Sequence, residues 1–317
     1  MKFELKIPCI YDYANSFSEG LAVVELNGKR GFIDKSGKEV IKCVYDNAYS
    51  FSEGLAPVEL SGKWGSIDKN GNEVIKRIYD TVFEFSEGMA IINESKRAYH
   101  LKHGFIDKSG NEVIKCIYDT VNLFSEGMAS VKLKRKEKWG FIDKNGNEAL
   151  KCIYDHAYIF SEGLAAVELN GKRGFIDKNG NEVIKCIYDD TNNFSEGLAV
   201  VERKGKYGFI DKNGKEVIKC IYDDADNFSE GLAVVERKGK YGFIDKNSNE
   251  VIKCIYDGAD NFSEGLAGVE REGKYGFINK NGNEVIKCIY DTVFEFSEGL
   301  ACVKIDEKYG FIAKIEE

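Results

Sequence analysis

The tetrapeptide Phe-Ser-Glu-Gly occurs nine times in this chain of 317 residues, and the distance between copies is nearly constant. The steps are 34, 34, 39, 36, 34, 34, 34 and 34 residues. A fixed period of about 20–50 residues is typical of repeat proteins, in which each unit covers its apolar surface by stacking on its neighbours. The sequence therefore predicts a single array over 1–317, with nine units of about 34 residues and half-units at both ends. The copies begin at Phe17, Phe51, Phe85, Phe124, Phe160, Phe194, Phe228, Phe262 and Phe296.

Composition narrows the class of protein. Hydrophobic residues make up 43% of the chain and charged residues 31%, which is typical of a folded protein with a core. The net charge of −8 argues against general nucleic-acid binding. We find no apolar run long enough for a signal peptide or a membrane helix. A cytoplasmic, monomeric protein without membrane contact is expected.

The type unit, residues 194–220, predicts β-structure. Residues 198–202 and 207–211 are short apolar runs separated by a glycine-containing turn, which indicates a hairpin. Residues 216–218 predict a brief third strand, and residues 221–227 a loop leading to the next unit. Because no window has a helical period, the pattern favours an all-β meander.

Small residues recur at fixed places in every unit. The second residue of the second strand is always glycine, as at Gly208, and an alanine such as Ala199 always follows the Leu or Met that begins the first strand. Glycine within a strand often indicates a close approach of another backbone. We therefore expect successive units to press together at these positions, with the repeated Phe and Tyr side chains filling the space between units.

Eight of the nine cysteines occupy one place in the repeat, before Ile/Val-Tyr-Asp, and Cys302 lies elsewhere. One cysteine per unit suits neither a disulfide framework nor the C-x₂₋₄-C spacing of zinc sites. We expect nine thiols that serve as small buried residues, with no bound metal.

Three carboxylate series accompany the repeats: the motif glutamate, the aspartate after Tyr, and an aspartate after Phe-Ile or Ser-Ile. Paired carboxylates can bind Ca²⁺ or act as acid and base. A catalytic pair is needed only once, however, and aspartates beside turns commonly accept backbone hydrogen bonds. Turn capping is therefore the favoured interpretation. With His156 interpreted as a loop substitution and no phosphate loop or nucleophile motif, we expect no catalytic residue, no cofactor and no enzyme.

The unit G-[LM]-A-x-V…G-K-[WY]-G-[FS]-I-D…V-I…Y-D…F-S-E-G resembles the bacterial WG repeat. The Trp-Gly pair stands here as Trp64-Gly65 and Trp139-Gly140, and other units have Tyr, Arg or His before the glycine. The resemblance covers the chain from about Cys9 to Ile315. It implies a binding or scaffolding module and brings no catalytic residues.

Two architectures suit such a unit. One is an open superhelical solenoid of stacked hairpins, and the alternative is a β-propeller, a closed ring whose blades usually have about 40–45 residues and number 4–8. Nine units of this length are too many and too short for a usual propeller. The sequence therefore favours the open solenoid.

We expect a non-enzymatic scaffold that mediates protein–protein interaction, the alternative being glycan or small-ligand binding in grooves between repeats. Both spacings that depart from 34 result from insertions in the first hairpin turn of the third and fourth units, at 93–103 and 132–139. Insertions in repeats often lie on a binding face, and these are rich in cations on an acidic chain. The predicted partner-binding residues are Lys96, Arg97, Tyr99, His100, Lys134, Arg135, Lys136 and Trp139.

Overall fold

The computed structural model describes residues 2–95, 101–133 and 137–315. These residues form strands and turns and contain no helix, so the all-β prediction is confirmed. None of the described residues belongs to a helix that could span a membrane. The chain divides into two compact units, one with residues 1–44, 195–211 and 215–317, and the other with residues 45–194 and 212–214.

The strands follow one another in chain order with short turns between them. The first half of the chain contains β1 (Lys2–Tyr11), β2 (Tyr13–Ala14), β3 (Leu21–Leu26), β4 (Lys29–Asp34), β5 (Glu39–Tyr45), β6 (Asn47–Ala48), β7 (Ala56–Leu60), β8 (Lys63–Ile67), β9 (Glu73–Tyr79), β10 (Thr81–Ser86), β11 (Met89–Ser95), β12 (Leu101–Asp107), β13 (Glu112–Tyr118), β14 (Thr120–Val121), β15 (Met128–Leu133), β16 (Lys138–Asp143) and β17 (Glu148–Tyr154). The second half contains β18 (His156–Ser161), β19 (Leu164–Leu169), β20 (Lys172–Asp177), β21 (Glu182–Tyr188), β22 (Asp190–Thr191), β23 (Leu198–Arg203), β24 (Lys206–Asp211), β25 (Glu216–Tyr222), β26 (Asp224–Ala225), β27 (Leu232–Arg237), β28 (Lys240–Asp245), β29 (Glu250–Tyr256), β30 (Gly258–Ala259), β31 (Leu266–Arg271), β32 (Lys274–Asn279), β33 (Glu284–Tyr290), β34 (Thr292–Ser297), β35 (Leu300–Ile305) and β36 (Lys308–Ile315).

These strands form nine four-stranded sheets. Sheets 1 to 8 each take four consecutive strands, beginning with β2, β6, β10, β14, β18, β22, β26 and β30. We call the four positions A to D in chain order. The ninth sheet has the order β1-β36-β35-β34, so the first strand of the chain supplies its D position.

The first strand closes the last sheet by regular antiparallel pairing. Lys2 lies opposite Ile315, Leu5 opposite Ile312 and Tyr11 opposite Tyr309. In the other sheets a C-strand glycine approaches the D-strand backbone, as where a Cβ on Gly208 would lie 2.5 Å from the carbonyl oxygen of Ile218. A Cβ on Gly310 would lie 2.6 Å from the carbonyl oxygen of Ile7. β1 is therefore a true fourth strand.

The ninth sheet also contacts the first sheet in the way that neighbours contact each other elsewhere. The motif serine Ser297 donates a hydrogen bond to the carbonyl oxygen of Phe17 at 2.8 Å, as Ser86 does to Phe124. Rings of Phe311 and Phe17 meet edge to face at 4.9 Å, as those of Phe209 and Phe228 do. An open stack would leave its first and last units without these contacts.

The architecture is thus a closed nine-bladed β-propeller, and the predicted open solenoid is wrong. Each sheet is one blade, numbered here as its sheet. The units looked too short for propeller blades because six blades have an A strand of only two residues, such as β22. Strands of that length cannot be detected in a sequence. The predicted third strand is longer than expected, since β25 covers Glu216–Tyr222. The half-units at the chain ends combine to build blade 9.

The invariant glycines act within a blade, whereas the invariant alanines pack in cores that adjacent blades share, as Ala233 of blade 7 does with Phe209 of blade 6. The C-strand glycine removes a clash with the D strand of its own sheet, as the Gly208 geometry shows. The B-strand alanines are buried, as at Ala199 and Ala233. The repeated motif phenylalanines are buried in the cores of both compact units. Phe228 is an example from one compact unit and Phe124 from the other.

The carboxylate series hold turns and neighbouring blades. Asp12 accepts a hydrogen bond from the backbone N–H of Asn27 at 2.8 Å, which agrees with the predicted turn capping. The motif glutamate Glu53 accepts from the backbone N–H of Gly88 and from Lys108, both at 2.9 Å and both in the next blade. Burial raises the pKa of Glu53, but these bonds outweigh it and lower the pKa overall. The described residues contain no group of three or more His, Cys, Asp or Glu that could hold a metal ion.

The cysteines are thiols of the D strands, apart from Cys302 in β35. Cys220 shows the usual arrangement, with its Sγ 3.8 Å from the carbonyl oxygen of Val201. Burial raises the pKa of the Cys220 and Cys302 thiols, so these groups are protonated near neutral pH. Three of the nine cysteines are buried and the other six are half-buried, so the predicted role as buried residues holds only in part.

Candidate binding pocket

A β-bulge lies in the A strand of blade 3. Val82 pairs with Ile92 and Phe85 pairs with Ala90, so two residues, Phe83 and Glu84, face the single residue Ile91. Such a bulge re-aims side chains and is common beside functional sites. β10 is six residues long, whereas the A strands of blades 2 and 4 have two residues each.

The bulge forms one wall of a pocket. Side chains from blades 2, 3 and 4 line a cavity of about 210 Å³, and they are Tyr49, Phe83, Glu84, Ile91 and Leu123. All five belong to the compact unit of residues 45–194. An apolar cavity with one polar group is the usual form of a small binding site.

Aromatic rings stiffen the pocket. The rings of Tyr49 and Phe83 are nearly parallel, with an interplanar angle of 11° and centroids 6.3 Å apart. Behind Tyr49 lies Trp64, whose ring stacks on it at 4.9 Å. Trp64 is only 6% exposed, and Tyr49 packs against the core that blades 2 and 3 share. This gives the WG-type aromatic position a role in supporting the pocket.

Glu84 is the only acidic or basic side chain among the pocket-lining residues. Its carboxylate accepts a hydrogen bond from the backbone N–H of Ser50. Burial raises the pKa of Glu84, and the Ser50 bond offsets only part of that effect. No described Lys, Arg or His forms an ion pair with Glu84. A half-buried carboxylate without a counterion is a frequent mark of a functional site.

Two further A strands carry the same bulge. In blade 5, Tyr158 and Ile159 face Ala166, and in blade 9, Phe294 and Glu295 face Cys302. Glu295 is exposed, in contrast to Glu84.

The blade 5 bulge adjoins an aromatic stack around His156. The His156 ring lies 4.8 Å from that of Trp139 and 4.7 Å from that of Tyr158. Burial lowers the pKa of His156, so the ring is neutral near pH 7. Arg173 covers the Tyr158 ring at 5.1 Å. These ring contacts on both sides of the imidazole favour a packing role for His156.

Carboxylates and amides follow the A strands of blades 7 and 8. Asn261 donates its Nδ2–H to Asp226 at 2.8 Å. Loss of solvent raises the pKa of Asp260, and the charges of Glu295 and Asp226 raise it further. Gly268 leaves room for this carboxylate, because a Cβ there would lie 2.6 Å from an Asp260 oxygen. This region is an acidic cluster of hydrogen-bonded side chains and not an apolar pocket.

A second cavity, of about 400 Å³, lies beside the chain ends in the other compact unit. Its walls come from β1, β33 and β36, with exposed side chains such as Leu5 and Ile289. Lys2, Glu4 and Lys287 surround it. The lining of this cavity has no parallel aromatic pair like that of Tyr49 and Phe83, so it is the weaker candidate.

Seven of the eight partner-binding residues predicted from the sequence lie outside the described residues. They are Lys96, Arg97, Tyr99, His100, Lys134, Arg135 and Lys136. The eighth, Trp139, is 5% exposed and packs in the core around blade 5. The insertion hypothesis therefore stays a prediction, and Trp139 acts as a core residue.

Sequence reasoning missed Tyr49, Phe83, Glu84 and Leu123. A signal was present, because the two residues before the motif Phe vary from unit to unit while their flanks are constant. They read Tyr-Ser at 49–50, Phe-Glu at 83–84 and Asn-Leu at 122–123. Variation within a constant framework marks positions that the fold does not prescribe.

Comparison with known proteins identifies the family. Nine consecutive segments match the WG containing repeat, at residues 1–29, 31–64, 64–96, 104–136, 139–172, 174–207, 207–241, 241–275 and 275–309. The chain belongs to the WG-containing-repeat family. This confirms the resemblance drawn from the Trp-Gly motif and the nine units. No curated protein matches the chain.

Solved structures similar to this WG-repeat chain share little sequence with it. The crystal structure of the eukaryotic initiation factor aligns with a TM-score of 0.61 and 11% identity, over 86% of this chain and 86% of that chain. Hsv2p of Kluyveromyces lactis aligns with a TM-score of 0.43 and 9% identity, over 74% of this chain and 92% of that chain. The likeness to the initiation factor concerns the fold alone.

Proposed function

We propose that this WG-repeat propeller is a non-enzymatic interaction protein that anchors a group of a protein partner in the pocket of blades 2 to 4. The observation that carries the proposal is the convergence of Tyr49, Phe83, Ile91 and Leu123 from three successive blades on one cavity. Interfaces depend on a few aromatic or aliphatic anchors seated in such pockets. The cavity of about 210 Å³ is large enough for a single side chain.

A small free ligand in the same groove is the second candidate, because a pocket between repeats can equally hold a metabolite. A glycan is less favoured. Glycan binding along the array would need repeated exposed aromatic rings, whereas every aromatic residue in the described ranges is at least partly buried. The exposed large apolar side chains are Val, Ile and Leu.

The test is affinity capture from the source cell, followed by reconstitution with the purified partner. We would compare the wild type with Leu123→Arg, which fills the pocket from a side chain that is 37% exposed. Ile153→Arg is the matched control, because Ile153 is 53% exposed on a D strand away from the pocket lining. We expect the partner to bind the wild type and the control and to be lost from Leu123→Arg.

A third variant separates the pocket from the insertions. Alanine at Arg97, Tyr99, Lys134 and Arg135 removes the predicted basic patch and leaves the pocket intact. Loss of binding in this variant alone, with Leu123→Arg still active, would contradict the pocket proposal and support the insertions. Equal binding by all variants would contradict both.

A further inference from the structure

Glu84 differs from the repeated carboxylates in what surrounds it. The motif glutamates and the aspartates after Tyr contact lysines, as in the pairs Glu53–Lys108 at 2.9 Å and Asp119–Lys102 at 2.6 Å. Among the described residues, Glu84 has only the backbone N–H of Ser50 as a donor. A carboxylate held in a partly apolar site without a counterion is costly, and a bound cation would offset that cost.

The aromatic walls favour the same charge. The faces of Tyr and Phe rings carry negative potential, so a cation within about 6 Å of a ring centre is attracted. Tyr49 and Phe83 have nearly parallel rings, and both line the cavity that Glu84 also lines. Cation–π attraction strengthens when the cation is shielded from water.

The remaining walls select an organic cation over a metal ion. Ile91 is 7% exposed and Leu123 is 37% exposed, and both offer only carbon to the cavity. Metal ions such as Ca²⁺ require about six to eight oxygen ligands, and one carboxylate cannot supply them. Alkyl groups, in contrast, gain free energy by contact with Ile91 and Leu123.

The bulge of blade 9 shows that a Phe-Glu pair on an A strand is not sufficient to form such a pocket. Phe294 and Glu295 repeat Phe83 and Glu84, but Glu295 is exposed and the residue facing the bulge is Cys302 instead of Ile91. The Phe294 ring contacts that of Tyr309 at 6.4 Å with an angle of 47°, so the parallel wall is absent there. Blade 9 therefore offers a matched control within the same chain.

We propose that the pocket of Tyr49, Phe83, Glu84, Ile91 and Leu123 binds an alkylammonium group, with Glu84 as its counterion. This rests on the proposed function, since it names the chemistry of the group that the pocket anchors. The group is either a lysine side chain of a protein partner or a free amine. Both have an alkyl chain for the apolar walls and one positive charge for the carboxylate.

The experiment titrates the full chain with two matched pairs of probes by calorimetry at neutral pH. The free pair is n-butylammonium and n-butanol, which share a four-carbon chain and differ in charge. The peptide pair is an acetylated pentapeptide with a central lysine and the same peptide with norleucine. We expect each cation to bind at least about tenfold more tightly than its neutral match, in line with a cation–π pair and a half-buried ion pair.

Variants assign the effect to Glu84. Glu84→Gln should lose the tenfold preference for the cation, whereas Glu295→Gln should keep it. A lysine peptide that binds more tightly than n-butylammonium would identify a protein side chain as the source, and the reverse order would identify a free amine. Because burial raises the pKa of Glu84, affinity for the cation should fall as the carboxylate protonates on acidification.

Equal binding of cation and neutral probe, unchanged preference in Glu84→Gln, or no binding by any probe would overturn the inference. The proposed function, anchoring of a protein partner, is contradicted by a different result. If Leu123→Arg retains its partner in the capture experiment, the pocket is not the anchor site, whatever the probes show. If the partner is lost but the probes show no charge preference, the pocket anchors a neutral group.

Discussion

Blades 3 and 9 carry the same A-strand sequence, Thr-Val-Phe-Glu-Phe-Ser, at 81–86 and 292–297. Both form the same bulge, yet only blade 3 builds the aromatic pocket. The difference lies in the surroundings, because Phe83 meets Tyr49 and Leu123, whereas Phe294 meets Tyr309 and Glu295 acts on the nearby Asp260.

The comparison teaches that the repeat specifies the backbone and the neighbours specify the site. The motif serines and glutamates make equivalent contacts in both blades, including Ser86 with Phe124 and Ser297 with Phe17. The free positions before the motif Phe are where blades differ. A binding site in this protein thus depends on the combination of side chains from adjacent blades.

The prediction with the largest expected effect compares the D strands of blades 9 and 3. It tests whether β1 packs in blade 9, which is built from both chain ends, as firmly as β13 packs in blade 3. Ile7 of β1 is 2% exposed and Ile114 of β13 is 4% exposed at the matching D-strand position. Replacement of either by alanine should lower the free energy of unfolding by about 2–5 kcal/mol, as measured by denaturant unfolding. Leu5→Ala is the control, since Leu5 is 50% exposed and should have little effect. A negligible cost for Ile7→Ala would show that the propeller is not closed by β1.

A second change acts on the surroundings of Glu295. Gly268→Val inserts side-chain atoms into a crowded place, because a Cβ added there would lie 2.6 Å from Asp260 and 3.1 Å from Val293. Overpacking of this kind should cost about 1–3 kcal/mol, seen as a lower melting temperature. Asp260→Ala in the same chain should recover part of the loss, because it removes the nearer atom. No recovery would indicate that Val293 or the backbone causes the strain.

A smaller effect compares the contacts that join successive blades. Ser86→Ala and Ser297→Ala each remove one hydrogen bond to a carbonyl oxygen, at 2.8 Å in both cases. Each should cost about 1 kcal/mol, measured by urea unfolding. Equal values would show that the joint between blades 9 and 1 matches an internal joint. A clearly smaller value for Ser297→Ala would mark that joint as weaker.

The sequence predicts much of this architecture and little of the site. The hairpin of 198–202 and 207–211, the turn roles of Asp12 and Asp34 and the close approach at Gly208 follow from local chemistry, and the structure contains them. The half-units at the chain ends are compatible with closure by β1, but closure itself could not be predicted, because it depends on pairing between Lys2 and Ile315, at opposite ends of the chain. Nor could the pocket, since Tyr49, Phe83 and Leu123 belong to three different repeats.

The smallest expected effect concerns Glu84 and Glu295 and has a defined pH dependence. Burial raises the pKa of Glu84 in the folded state, so its contribution to stability is fully present below the unfolded pKa and is lost as the pH rises through the folded pKa. Glu84→Gln removes this penalty and should raise the melting temperature at pH 7 by about 1–2 °C for a chain of this size. The difference from the wild type should vanish below about pH 3, where the carboxyl is neutral in both states.

Glu295→Gln is the matched control, because Glu295 is exposed and its carboxylate stays hydrated on folding. Its melting temperature at pH 7, measured by circular dichroism in the same buffers, should rise by less than that of Glu84→Gln, because only the repulsion between Glu295 and Asp260 is relieved. A gain in Glu295→Gln equal to that in Glu84→Gln would show that the relief is general reduction of negative charge on an acidic chain. A larger gain in Glu84→Gln, together with its loss of alkylammonium binding, would mean that blade 3 keeps a destabilising carboxylate because the pocket uses it. That pattern is the usual relation between stability and function at a binding site.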